Sequence, residues 1–339
     1  MRLKHGPLVV AAISILPGIA AADIVVTPRV SYYFDNFTSL DSSVSGDPSY
    51  VQNMLSRLNN ELKSSLGPTA NLAIASSDLA LRSQQAAYKL YGATLDGRWG
   101  EGNRLYVTGL TGTANVQTFL TQQFIVNSTY LSSSAQDIWT SSEVTNAALR
   151  RVDIELAYEH NDFTAGLRFE QVRQHFVGVQ TTVISQNFAN MVGALQGVPP
   201  DFNLASLQGT SAGDIVYNLY SARMGVSVHT AKTEEAKNDF TLSAQLHVSY
   251  SPPSHASGVL QANDPTALPM ILTGTTDKSV SAGPDVSVGY TFYFSHSLGV
   301  DFRYRAIVYF PISGALSGTQ KSSDPRVNHG LMIGISFLQ

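Results

Sequence analysis

The stretch VDIELAYEHNDFTAGLRF, residues 152–169, places apolar side chains at alternate positions and changes their parity once. Val152, Ile154, Leu156 and Tyr158 hold even positions, whereas Phe163, Ala165, Leu167 and Phe169 hold odd ones. Side chains of a strand alternate between two faces, so the apolar set stays on one face only if an even number of residues turns the chain. Asn161-Asp162 supplies two residues, both of types that suit tight turns. The register that follows pairs His160 with Phe163, Tyr158 with Ala165, Leu156 with Leu167 and Ile154 with Phe169, and sets Glu155 opposite Arg168 on the other face. A second segment keeps one parity throughout: Val286, Val288, Tyr290, Phe292 and Phe294, then Leu298, Val300, Phe302, Tyr304, Ala306, Val308 and Phe310. That requires an odd turn, and Ser295-His296-Ser297 provides three residues. The opposite face carries Asp285, Ser287, Thr291, Asp301, Arg303 and Arg305. Strands apolar and aromatic on one face and charged on the other are those of a membrane β-barrel.

The front of the chain indicates where such a barrel would go. Arg2 and Lys4 precede an apolar stretch from Pro7 to Ile19, and Ala20-Ala21-Ala22 sets small residues before Asp23. This reads as a secretory signal peptide over 1–22, cleaved after Ala22. No later segment approaches the roughly 20 apolar residues of a spanning helix. Any membrane crossing after export then falls to strands, because in lipid only helices and closed barrels satisfy every backbone polar group.

Composition narrows the field. Of 339 residues only 14% are charged and none is Cys, so a disulfide-stapled secreted domain is excluded. Without residues 1–22 the chain has 19 basic and 25 acidic residues and no basic run, which argues against nucleic acid as a partner. The apolar residues alternate and do not form the continuous runs of parallel sheets. One barrel domain over 23–339 with long loops is expected.

Strands are predicted near Ile24–Phe34, Gln85–Trp99, Asn103–Gly112, Leu149–His160, Phe163–Val177, Asp214–Thr230, Asp239–Ser251, Gly283–Phe294, Ser297–Ile312 and Arg326–Leu338. These ten make an all-β, antiparallel, up-and-down transmembrane barrel. Adding Val116–Tyr130 and Asn71–Ala75 would give twelve strands, and losing the weakly alternating Gln85–Gly112 hairpin would give eight. Short connections at Gly100-Glu101-Gly102, Asn161-Asp162, Lys232–Asn238 and Ser295–Ser297 alternate with long ones, the arrangement of outer-membrane barrels whose long loops are extracellular.

The last strand adds a resemblance. Gly330, Ile333, Ile335 and Phe337 resemble the C-terminal assembly signal of bacterial outer-membrane proteins, although Leu338 and Gln339 follow the aromatic. The layout as a whole is similar to the outer-membrane β-barrel and porin-like superfamily. The resemblance implies a bacterial outer-membrane location, contact with outer-membrane lipid and lipopolysaccharide, and handling by periplasmic chaperones and the barrel-assembly machinery.

Within the first long loop, about 35–84, Asp47 before Pro48 reads as a helix N-cap and Gly67-Pro68 as a stop. Between them Val51, Met54, Leu55, Leu58, Leu62 and Leu66 form one stripe of a helix over 48–66, either a lid or plug for a pore or a helix lying on the rim. A second short helix is expected over Gln186–Leu195.

By parity Arg151, Asp153, Glu155, Arg168, Glu170, Arg223, Gln245, His247, Asp285, Asp301, Arg303 and Arg305 point inward. They either form a hydrogen-bonded network that fills the barrel or line a narrow water-filled path and set its selectivity. Asp285 lies diagonal to Arg305, so at least that arginine should be neutralised. A rim hydrolase would require His beside Ser, Asp or a metal. His160, His229 and His296 fall at short turns, whereas His175 and His255 lie near the outer ends within conceivable reach of Asp214, Asp264 or Ser residues. Neither a nucleophile elbow nor clustered metal ligands are present in the sequence, and no cofactor is implied. A porin-like channel for small solutes is the leading expectation, a sealed surface-binding or structural barrel the alternative, and a hydrolase the third.

Overall fold

The structure, a computed structural model, describes residues 23–36, 59–60, 63–64, 67–99, 102–131, 133–183, 207–230, 238–262, 270–275, 278–295, 298–314 and 325–338. Within them the strands are β1 (Asp23–Asp35), β2 (Asn71–Ser83), β3 (Ala86–Trp99), β4 (Asn103–Tyr130), β5 (Ser133–His160), β6 (Phe163–Val183), β7 (Leu207–His229), β8 (Asn238–Ser251), β9 (His255–Ala262), β10 (Met270–Thr275), β11 (Ser279–Ser295), β12 (Leu298–Ser313) and β13 (Arg326–Leu338). Ten of them close a ring in the order β1-β3-β4-β5-β6-β7-β8-β11-β12-β13, with β13 paired back to β1. Closure removes every sheet edge at that level, which an edge-intolerant lipid environment demands. The count is ten. Residues 116–130 continue β4 upward, and β2 pairs with that upper part of β4 outside the ring.

The β5–β6 hairpin has the register that its parity requires: His160↔Phe163, Tyr158↔Ala165, Leu156↔Leu167, Ile154↔Phe169, with Glu155 opposite Arg168. Asn161 takes the left-handed conformation (φ 55°) that its short polar side chain tolerates. In β11–β12, Phe292↔Val300, Tyr290↔Phe302 and Val288↔Tyr304 also follow from parity. Here the three-residue turn is corrected. Pairing continues to Ser295↔Leu298, and the odd residue is taken up by a register shift between Tyr293 and Ser295. A one-residue bulge and a three-residue turn have the same effect on parity, so alternation alone does not distinguish them.

Outward-facing side chains form a belt that includes Ile154, Leu156, Tyr158, Val226, Val228, Leu246, Val288 and Ile335, all exposed on the isolated chain. An apolar surface encircling the molecule far exceeds the patches tolerated in water and fits hydrocarbon. Tyr32, Phe34, Tyr250, Phe294, Phe310 and Phe337 lie exposed toward its margins. Among the described residues no helix is long and apolar enough to cross a membrane.

The strand ends are where the expectation falls short. β4 and β5 each run 28 residues, against the 9–11 or so that span a bilayer. Beyond the belt the outward residues turn polar, as at Thr113, Asn115 and Gln117 on β4, while the backbone ladder continues to Tyr130↔Ser133. Much of what was expected as loop is therefore sheet. β7 has two partners at two levels: β8 over Tyr220–His229 and, past Pro252-Pro253, β9 over Gly209–Ile215. β10 then pairs with β9, so a seven-stranded sheet, β2-β4-β5-β6-β7-β9-β10, stands above one side of the barrel.

Of the helix expected over 48–66, the described pairs Asn59–Asn60 and Lys63–Ser64 are helical, and Gly67 closes it with φ 94° and an N–H donated to the Lys63 carbonyl at 3.0 Å. The rest of that helix, the segment 186–195, residues 1–22 with the Ala22 cleavage site, and the turn residues 100–101, 231–237 and 296–297 lie outside the described residues.

Candidate functional site

Buried charge is concentrated in the barrel interior, and three tiers can be followed from the short-turn end upward. At the mouth Asp96 accepts from Arg104 at 2.7 Å and Arg98 at 3.1 Å, Arg104 reaches Glu159 at 3.4 Å, and His229 lies between Glu159 and Asp239 at 3.3 and 3.2 Å. His160, by contrast, sits at the turn against Asn103 at 3.0 Å.

The middle tier is a closed four-membered ring. Arg305 grips Asp285 with Nε at 2.8 Å and a terminal nitrogen at 2.5 Å, and reaches Glu155 at 2.5 Å. Arg223 contacts the same two carboxylates, Glu155 closely and Asp285 at 3.2 Å. Beside this ring Asp301 pairs with Arg29 and accepts from the Thr291 hydroxyl at 3.0 Å. Arg303 is half-buried, and its Nε has no hydrogen-bond partner among the described residues.

The upper tier joins Asp35, Arg151, Asp153, Arg168, Glu170 and Arg326. Arg168 forks onto Asp153 at 2.8 and 2.5 Å and touches Glu170 at 3.1 Å. Arg151, fully buried, lies 3.0 Å from both Asp153 and Glu170 and 3.6 Å from Asp35. Arg326 holds Asp35 at 2.5 Å and also Glu170. Isolated charges in such a place would cost several kcal/mol each, so pairing is the condition for burying them at all.

Packed against the ions is an apolar and aromatic cluster with Tyr33, Tyr88, Leu90, Leu149, Phe176 and Ile215 buried inside the wall. The Arg151 guanidinium lies 5.5 Å from the Tyr33 ring and 5.3 Å from that of Tyr88, so the cluster packs directly on that cation. A cavity of about 30 Å³ remains beside the middle tier, lined by residues that include Arg29, Glu155, Arg223, Gln245 and Arg303. That is room for about two water molecules.

All ten Asp, Glu and Arg side chains expected to point inward therefore face the interior, and nine of them take part in ion pairs there: Arg151, Asp153, Glu155, Arg168, Glu170, Arg223, Asp285, Asp301 and Arg305 by the contacts given, with Arg303 facing the cavity. His247 is buried edge-on to Tyr309, with ring centroids 4.7 Å apart. Missed at the level of sequence were Asp96, Arg104, Glu159 and Asp239 at the mouth, and Arg29, Asp35 and Arg326 deeper in. For the deeper three, parity on β1 and β13 was available as a signal, since Arg29 and Asp35 share odd positions with Val25, Ser31 and Tyr33, which all point inward. Of the assembly-signal residues, Ile333, Ile335 and Phe337 face outward, whereas Gly330 faces inward where a Cβ would lie 2.2 Å from the Tyr32 carbonyl oxygen.

Of the two rim histidines, His175 and His255, one has a carboxylate neighbour among the described residues. His175 meets Asp214 at 3.0 Å, but on the outer surface above the belt, with the side chains 59% and 71% exposed. Among the described residues no three His, Cys, Asp or Glu side chains are placed to hold one metal ion.

A closed even-stranded antiparallel barrel, apolar outside, ionic inside and with short turns at one end, has the architecture of an outer-membrane β-barrel. No protein-family model and no curated protein sequence matches the chain. Among solved structures it is similar to the outer membrane protease OmpT from Escherichia coli, at 9% identity over 94% of this chain and 96% of that one with a TM-score of 0.36. It is also similar to the toluene transporter TodX from Pseudomonas putida, at 7% identity over 97% and 91% with a TM-score of 0.24, and to OccAB3 from Acinetobacter baumannii, at 8% over 94% and 100% with a TM-score of 0.18.

Proposed function

We propose that this chain is a sealed barrel of the bacterial outer membrane that works through the tall sheet standing on its extracellular side. The observation that carries the reading is the pairing of charges between opposed walls. In the ring of ten strands β5 faces β12 and β6 faces β13, and Glu155 to Arg305 and Glu170 to Arg326 join those pairs across the lumen. With a cavity of only about 30 Å³ beside the ions and an apolar and aromatic cluster packed against them, paired side chains take up the middle of the lumen. Binding then falls to the wall raised by β2, β4–β7, β9 and β10.

A second reading is a narrow, porin-like path for small solutes. It is favoured by Arg303, whose Nε faces the cavity unpartnered among the described residues, and by the Gln245 carbonyl oxygen, likewise without a partner among them. On that reading the ionic tiers set selectivity and the helix near 48–66 gates the pore. Conductance of the refolded chain in a planar bilayer, with and without residues 48–66, decides between the two. Silence from both proteins supports the sealed barrel, and discrete steps that grow on deletion overturn it in favour of the path.

A further inference from the structure

The outer surface carries its own charge pattern, unrelated to the lumen. Adjacent strands are in register along a single row: Tyr32↔Lys89, Lys89↔Thr113, Thr113↔Arg150 and Arg150↔Arg173. All five side chains are exposed and face outward. On β5 Arg150 is the first outward position above Val152, Ile154, Leu156 and Tyr158, so the row lies at the upper margin of the apolar belt. Two arginines directly opposite each other on neighbouring strands repel and destabilise the sheet. Among the described residues neither has a carboxylate partner. Arg173 donates its Nε to Gln171 at 2.9 Å, a contact that leaves its charge unneutralised, and Lys89 lies 5.5 Å from the Tyr32 ring. The outward faces of β1, β8, β11, β12 and β13 carry no described lysine or arginine. Among the described strands, the cations of this row thus lie on β3, β5 and β6, on one side of the ring.

We infer that Lys89, Arg150 and Arg173 form a binding surface for the phosphate groups of lipopolysaccharide in the outer leaflet. The inference rests on the outer-membrane reading above. Guanidinium groups match phosphate oxygens in a two-pronged geometry and carry a charge that burial in a headgroup layer does not remove. Acyl chains of the same molecule would lie on the apolar belt directly below, at Val152, Ile154 and Phe169, so one amphipathic molecule satisfies both surfaces at once. A bound phosphate also relieves the Arg150–Arg173 repulsion, which ties the site to barrel stability.

The test is a titration of the refolded, detergent-solubilised chain with purified lipopolysaccharide, with chemically dephosphorylated lipopolysaccharide and with inorganic phosphate. Wild type is compared with R150Q/R173Q and with K278Q, an exposed cation away from the row. Loss of two surface cations should weaken binding of the phosphorylated lipid about thirtyfold, and K278Q should leave it unchanged. If the double variant does not refold, R150Q and R173Q singly should each weaken it about fivefold. Equal affinity for the dephosphorylated lipid, or unchanged affinity in the variants, overturns the site. Inorganic phosphate that competes at comparable concentration overturns the lipid as its occupant. Insertion into lipid vesicles is scored on the same wild-type preparation, so failure of the membrane reading shows as absent insertion and not as absent phosphate dependence.

Discussion

Replacing Arg305 with Met tests whether the lumen charges act as one unit. Arg305 supplies two hydrogen bonds to Asp285 and one to Glu155, and Arg223 supplies the remaining contacts to both. Without Arg305, two buried carboxylates face a single guanidinium and one negative charge is left uncompensated. Methionine fills much of the volume, so the cost is electrostatic and should be about 3–5 kcal/mol, the range for breaking a buried pair from one side. Adding D285N restores one carboxylate to one guanidinium and should recover about 2 kcal/mol or more, a coupling expected only of groups in direct contact. Urea unfolding of the chain refolded in lipid vesicles, followed by tryptophan fluorescence, measures both. A loss under about 1 kcal/mol for R305M, or strictly additive losses in the double variant, would mean that water and not Arg305 solvates these carboxylates, and the sealed lumen would fail with it.

Other outcomes follow from the belt, the seam and the first connection. L156R places a charge midway on the lipid face and should cost about 2–4 kcal/mol in bilayers, while N115R, above the belt and opposite Ala148, should cost little; equal costs would displace the belt. G330V forces a side chain against the Tyr32 carbonyl at the β1–β13 closure, where a Cβ would sit 2.2 Å away, and should slow or prevent barrel closure as read by heat-modifiable gel mobility. G67A should cost about 1 kcal/mol through its φ of 94° with no steric clash, seen as faster amide exchange near Lys63 without change in barrel stability.

The fold was legible wherever one face of a strand meets lipid. Ile154↔Phe169 and Tyr290↔Phe302 could be paired on parity alone because a slip of one residue would turn every apolar side chain inward. Above the belt that constraint ends. Thr113, Asn115 and Gln117 alternate nothing detectable, yet the ladder to Tyr130 is held by backbone hydrogen bonds that every residue but proline can make, so strand length was underestimated there. The lumen was legible in composition and not in connectivity. Asp285 beside Arg305 is a neighbour relation within one hairpin, but Glu170 with Arg326 depends on which strands stand opposite each other in the closed ring, a property of strand number and stagger that local pattern does not carry.

Those cross-lumen pairs also bear on shape. A hollow barrel of ten strands in a laterally compressed bilayer is free to flatten toward an ellipse, because bending the wall strains each hydrogen-bonded seam only slightly. Here Glu155–Arg305 and Glu170–Arg326 tie diametrically opposed strands like spokes, at two heights and along two different diameters. Ovalising the cross-section in any direction would stretch or compress at least one spoke, so the barrel is expected to resist flattening and to hand any force on its tall outer sheet to the membrane as a rigid body.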